Sequence, residues 1–169
     1  LLRNHYRCNK EIIGFNNKKY YNSKLKIQSK SKEPEPLVYM DVKSDNTQIK
    51  NTSPAEVDEV VEYALLNKDK SIAVITPFVN QKQLIENAIK QNKLSNLVCG
   101  TVHAFQGDEK DVVLFSTAIS ERTSSGTYNW LKNNKELINV ATSRAKEKLV
   151  LLTNGKELER LHAGHGGCR

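Results

Sequence analysis

The sequence predicts an α/β domain in which a mainly parallel β-sheet lies between two layers of helices. Three observations lead there. Segments of strand character alternate with segments of helical periodicity along the chain. The strand segments are continuous apolar runs, which is how strands covered on both faces read. The chain has 169 residues, 38% of them apolar, and a chain of this length buries about 70% of its extended surface, enough for one core without disulfides or a structural metal. The same composition excludes collagen-like, disordered and disulfide-rich classes, and no internal repeat of fixed period is present.

Taken in order, Glu33-Pro34-Glu35-Pro36 is an extended lead-in to Leu37-Val38-Tyr39-Met40-Asp41-Val42, short and apolar enough for a buried strand. A polar loop follows over residues 43–52. Ser53-Pro54-Ala55-Glu56 then combines an N-cap hydroxyl, a proline at the first helical position and a glutamate at the third, the pattern of a capping box. A helix starts there, with Val57, Val60, Val61, Ala64 and Leu65 forming one apolar face through Leu66, while Asp58, Glu59 and Glu62 face water. Ile72-Ala73-Val74-Ile75-Thr76 is a second strand, stopped by Pro77, and Leu84, Ile85, Ala88 and Ile89 mark a helix over residues 80–93. Strands are expected over 97–102 and 112–117, a loop over 120–129, a helix over 135–146, a last strand over 149–152 and a final helical turn or two over 156–161. The polar clusters fall at the carboxyl ends of strands or at helix starts, where ligands gather in such folds.

The net charge of +7 is unevenly spread. Residues 1–32 hold nine Lys or Arg and one acid, Glu11, whereas the remaining 137 residues hold 17 and 18. With Tyr6, Phe15, Tyr20 and Tyr21 interleaved, the first stretch has the composition of a phosphate-backbone contact surface. A lysine-rich solvated face has the same composition, and charge alone does not separate the two. Cys8, Cys99 and Cys168 are scattered, so reduced thiols are expected, and His103, His162 and His165 form no metal set. No apolar run approaches the roughly 20 residues needed to cross a bilayer, and Leu1 to Arg7 lack a signal peptide's apolar stretch. An intracellular protein with no membrane partner is expected, cytoplasmic, or nuclear if the source is eukaryotic. Because the first residue is Leu and a motif begins almost at once, the chain reads as part of something longer.

Two segments concentrate chemistry. Gly100-Thr101-Val102-His103-Ala104-Phe105-Gln106-Gly107-Asp108-Glu109-Lys110-Asp111 leaves one strand and enters the next, crowding Gln106, Asp108, Glu109 and Asp111 into six positions beside two glycines. That is more than a simple connection needs. Leu137-Ile138-Asn139-Val140-Ala141-Thr142-Ser143-Arg144-Ala145-Lys146 sets one arginine on a helix whose apolar residues pack inward. A guanidinium held close to the domain suits bidentate phosphate binding; an arginine with a packed stem and a solvated head fits the same text.

These segments resemble superfamily 1 helicases, in the group that contains the nonsense-mediated-decay RNA helicase and the replication helicase-nuclease. Four pieces match in the family's order. Leu2-Arg3-Asn4-His5-Tyr6-Arg7, with Ile12, Phe15, Tyr20-Tyr21 and Leu25, resembles the segment opening the second RecA-like domain. Val74-Ile75-Thr76-Pro77-Phe78-Val79-Asn80-Gln81 resembles motif IV, residues 101–116 resemble motif V, and residues 139–146 resemble motif VI. The resemblance implies a RecA-like three-layer αβα domain over residues 1–162, followed by a flexible tail over 163–169. It implies that ATP with Mg²⁺ sits between this domain and an N-terminal RecA-like domain of the same polypeptide. Arg7 and Arg144 would then be arginine fingers, each compensating charge on the transferring phosphoryl group. Tyr6 would lie against the adenine, Glu109 would accept from the ribose hydroxyls, and Gln106 and Gly107 would shape that turn. Thr76, Gln81, Thr101 and His103 would touch the backbone of single-stranded DNA or RNA.

One motif is missing. Gly155-Lys156 is followed by Glu157 and lacks the preceding glycine of a phosphate-cradling loop, and Asp58-Glu59, on the outer face of a helix, is a poor magnesium-binding pair. The expected function is therefore the second RecA-like domain of an ATP-dependent helicase, inactive as a fragment. The alternative is a non-catalytic module, derived from a helicase half, that binds nucleic acid or protein.

Overall fold

A computed structural model describes residues 37–43, 49–101, 109–134, 141 and 143–165. Five strands, β1 (Leu37–Asp41), β2 (Ile72–Ile75), β3 (Leu97–Gly100), β4 (Lys110–Ser116) and β5 (Ala145–Thr153), form one sheet in the order β1-β5-β4-β2-β3. Every neighbouring pair is parallel. Among the described residues, the helices that cover it include α1 (Pro54–Leu66), α2 (Val79–Gln91), α3 (Ser125–Asn133) and α4 (Gly155–His165).

Successive strand residues point to opposite faces, and each face has its own core. Ile72, Val74, Val112, Leu114, Val150 and Leu152 pack with Val57, Val60 and Ala64 of α1 and Ile85 and Ala88 of α2. Ala73, Ile75, Val113, Phe115, Leu149 and Leu151 pack with Tyr128 and Leu131 of α3 and Leu158 and Leu161 of α4. The continuous apolar runs are thus explained by burial on both sides, and the three-layer α/β architecture is established.

The order of the strands sets where the sheet opens. From β2 the chain crosses through α2 to β3 on one side; from β4 it crosses through α3 to β5 on the other. β2 and β4 are neighbours whose following helices cover opposite faces. Their carboxyl ends therefore flank a topological switch point, where helices diverge and a crevice forms.

Several boundaries differ from expectation. α3 forms where a loop was expected over 120–129, because Ser124 caps it, Oγ accepting from Thr127 N at 3.1 Å, and Tyr128 and Leu131 supply a buried stripe. β5 starts at Ala145, so Ala145 and Lys146 are strand rather than helix: Ala145 lies opposite Lys110, with an irregular register between Lys110 and Val112. Ala141, Ser143 and Arg144, just before it, are helical. α4 runs through His165 and takes in Ala163, Gly164 and His165, expected as loose tail. His162 accordingly faces α3, its Nδ1 lying 3.2 Å from Tyr128 Oη. The apolar face of α1 ends at Ala64; Leu65 and Leu66 are exposed.

Candidate functional site

At the carboxyl end of β4 a buried polar junction joins three chain segments, the start of α1, the first turn of α2 and the residues that end β4. Ser53 caps α1 as its sequence requires, Oγ accepting from Glu56 N at 3.3 Å. The reciprocal half of the capping box is diverted. Ser53 N donates to Gln81 Oε1 at 2.8 Å, while Gln81 Nε2 donates to Ser53 O at 3.2 Å and to Ser116 Oγ at 3.0 Å. Glu56 instead crosses to the end of β4, its Oε1 accepting from Ser116 Oγ at 2.6 Å and Ala118 N at 3.0 Å. Ala118 has φ 56°, a left-handed conformation unusual for a residue with a Cβ, and the carboxyl bond helps to hold it. Glu56 has no exposed surface and its Oε2 has no hydrogen-bond partner among the described residues. Burial pushes its carboxyl up to about 8, against the opposing pull of the bonds from Ser116 and Ala118. At neutral pH this is mostly a neutral acid.

The junction decides what Gln81 and Thr76 present. Both are fully buried. The Gln81 amide is spent inside the junction, so it offers no side-chain group to a strand on the surface. Thr76 N donates to Gly100 O at 3.3 Å, and its Oγ1 accepts from Phe78 N at 3.4 Å. Thr101 follows β3 directly and is half-buried. Thr76 and Thr101 therefore stand on adjacent strands at the same edge of the sheet.

Glu109 and Arg144 lie at the opposite edge. Each immediately precedes its strand, and the residues after them, Lys110 and Ala145, are register partners across β4 and β5. The expectation that every polar cluster falls at the carboxyl end of a strand or at the start of a helix is thus corrected: these two lie at the amino ends of adjacent strands. Glu109 is exposed; Arg144 is half-buried, with a buried Nε that has no hydrogen-bond partner among the described residues. Asp111, one of the crowded polar residues, has a structural task instead. Its Oδ2 accepts from Ser71 N at 3.0 Å while its own N–H donates to Ser71 Oγ at 2.9 Å, locking the starts of β2 and β4, and the backbone bond from Ser71 is the main reason its carboxyl sits below the ordinary range. Tyr6, Arg7, His103, Gln106 and Gly107 lie outside the described residues.

The Gly155-Lys156 pair opens α4, and its amide is already taken: Gly155 N donates to Asp41 Oδ1 at 2.8 Å. A carboxylate occupying the first turn excludes a phosphate by charge and by space. Cys99 is a free thiol that burial pushes up to about 12, so it is unreactive at neutral pH. The junction of Glu56, Ser116 and Gln81 was missed in the sequence, where Glu56 reads only as a cap.

The chain is thus a parallel three-layer α/β domain with polar residues at both the amino and the carboxyl ends of its strands. Residues 1–156 match the family described as an AAA domain, and the chain belongs to that family, within the superfamily 1 helicase group. It is 32% identical over 120 residues to the DNA replication ATP-dependent helicase/nuclease JHS1 of Arabidopsis thaliana, covering 69% of this chain and 9% of that protein. It is 30% identical over 186 residues to the helicase sen1 of Schizosaccharomyces pombe, covering 94% of this chain and 11% of that protein. The RNA helicase Mov10l1 of Mus musculus is 34% identical over 120 residues, with 64% and 10% covered. The chain thus spans only a small part of these relatives. Among solved structures, the C-terminal domain of a possible DNA helicase from Lactobacillus plantarum aligns with a TM-score of 0.49 and 20% identity, over 80% of this chain and 85% of that one.

Proposed function

We propose that this chain is the second RecA-like domain of an ATP-dependent superfamily 1 helicase. It would complete a nucleotide site held mainly by a first domain and contact single-stranded DNA or RNA along its other edge. The observation that carries the reading is that Glu109 and Arg144 directly precede Lys110 and Ala145, register partners at the amino ends of adjacent strands. A carboxylate and a guanidinium in neighbouring positions fit the ribose and the phosphates of one nucleotide, and the unpartnered Arg144 Nε is a donor in want of an acceptor. Bound ATP with Mg²⁺ would supply the phosphoanhydride whose cleavage drives the opening and closing of two domains. Arg144, with Arg7, would place positive charge at the departing phosphoryl group, a contribution of roughly 10³ to 10⁵ in rate where such arginines have been measured. Glu109 would accept from ribose hydroxyls, with Tyr6, Gln106 and Gly107 completing the nucleotide surface. Thr101, at the far edge beside Thr76 and with His103 following, would meet the sugar-phosphate backbone through hydroxyl and main-chain groups.

Separating the two edges gives the test. In the full-length protein, Arg144→Ala is expected to lower strand-stimulated ATP hydrolysis at least about 10³-fold while leaving single-strand affinity within a few-fold. Thr101→Ala is expected to weaken strand binding or its coupling to hydrolysis. Loss of strand affinity in both variants, with hydrolysis per bound strand unchanged, would contradict the assignment and favour the non-catalytic module.

A further inference from the structure

We propose that the cleft between Phe78 and Trp130 is a stacking site for one unpaired base of a single-stranded nucleic acid. The inference rests on the strand-binding reading above and adds to it Trp130, which lies outside the four matched segments, and Phe78, to which the resemblance gives no role. Phe78 ends the turn that leaves β2 and serves as N-cap of α2; Trp130 lies on α3, which follows β4. The two rings therefore meet across the switch-point crevice, one residue beyond the proline that follows Thr76. Their centroids are 6.0 Å apart and tilted by 43°, a side contact that leaves the face of neither ring fully covered. Trp130 keeps 46% of its surface in solvent and neighbouring Val79 keeps 71%. Beside the rings Gly126 and Thr127 complete an open cleft of about 310 Å³, and a Cβ added at Gly126 would still find no atom nearer than 3.8 Å.

A single exposed tryptophan is common, but one that builds an aromatic wall at the place where this fold receives ligands is informative. The charge around it favours a polyanion. The segments forming the two walls, residues 77–83 and 123–134, carry Lys132 and Lys82, the latter 3.6 Å from Glu86 one turn further along α2, and no carboxylate of their own. Phe78 makes no side-chain bond to the first turn of α2, so that turn's amides add positive potential beside the rings. A flat ring with phosphate on its flank matches this combination: the aromatic face takes the base whatever its identity, and the cationic rim takes the backbone.

Trp130 is the chain's single tryptophan, which makes its emission a direct reporter. The chain is titrated with a fluorescent-end-labelled oligothymidylate and, separately, with an abasic strand of the same length and charge, following strand anisotropy and tryptophan emission together. The expected result is binding of both strands, with emission quenched only by oligothymidylate. Trp130→Ala should weaken oligothymidylate roughly 5- to 100-fold and leave the abasic strand unchanged, while Trp130→Phe retains most of the affinity. Oligothymidylate binding without quenching, or equal losses for both strands in Trp130→Ala, overturns the stacking site and leaves strand binding standing. Failure of both strands to bind overturns both. An emission change that follows protein concentration alone, with a dimer lost in Trp130→Ala, gives the cleft to a second copy and also overturns the proposal.

Discussion

A carboxyl group removed from water keeps its proton unless donors or cations replace the lost hydration. Glu56 has a hydroxyl and an amide on one oxygen and, among the described residues, no hydrogen-bond partner on the other, so its burial outweighs its bonds. The consequence for stability follows from linkage. The folded state holds a proton up to about pH 8 that the unfolded chain releases near its ordinary value of 4.5, so this group's contribution falls as pH rises between those two values. Glu56→Gln, which keeps the accepting oxygen and cannot ionise, should flatten that decline and unfold at higher urea than the parent at pH 8. Glu56→Ala, which leaves Ser116 and Ala118 N without their acceptor, should cost about 1–3 kcal/mol at pH 6. Urea midpoints of the three proteins between pH 5 and 9 check both; a parent-to-Gln difference that does not change with pH would refute the neutral-acid account. Residue identity alone could not have shown this. Ser53-Pro54-Ala55-Glu56 announces the cap, and the cap is there, but Gln81 displaces the Glu56 side chain from Ser53 N, and Gln81 is 28 residues away.

Helix starts in this molecule are set by their own capping side chains at α1 and α3, and at α4 by its own Asn154 together with a side chain from another element. α1 begins at its serine and proline as its sequence demands. α4 begins where Gly155 N meets Asp41 from β1, an approach so close that a Cβ at Gly155 would lie 2.7 Å from Tyr39 Oη and 3.1 Å from Asp41 Oδ1. Gly155→Ala is therefore expected to cost about 1–3 kcal/mol by overpacking, despite alanine's better helix propensity. Thermal unfolding checks it, and Tyr39→Phe in the same chain should relieve part of the loss, since it removes the nearest atom. Unchanged stability in Gly155→Ala would mean that β1 and α4 separate freely. α3 was unreadable for a related reason. Gly126, Thr127 and Asn129 are weak helix formers, and the burial of Tyr128 and Leu131 against the sheet, with the Ser124 cap, makes their spacing a helix.

At the scale of the molecule, charge and topology act together. The basic excess lies in residues 1–32, so removing them should both weaken strand binding and shallow the fall of log K with log salt. Anisotropy titrations over a range of salt measure this, and an unchanged slope would mark that stretch as solvated surface with no phosphate contacts. Strand and helix alternation, the capped start of α1, the apolar runs of all five strands and the order of the family's motifs could all be read along the chain, because each depends on residues within a few positions of one another. Which edge each motif occupies could not. Glu109 and Arg144 went to the amino ends of β4 and β5, and Gln81 went into the interior, because parallel pairing between distant strands sets the register and the crossings. Phe78 and Trp130, 52 positions apart, became one cleft only when β2 and β4 came side by side. Local periodicity specifies the pieces; long-range pairing, through the free energy of burying both sheet faces at once, decides which side chains share a surface.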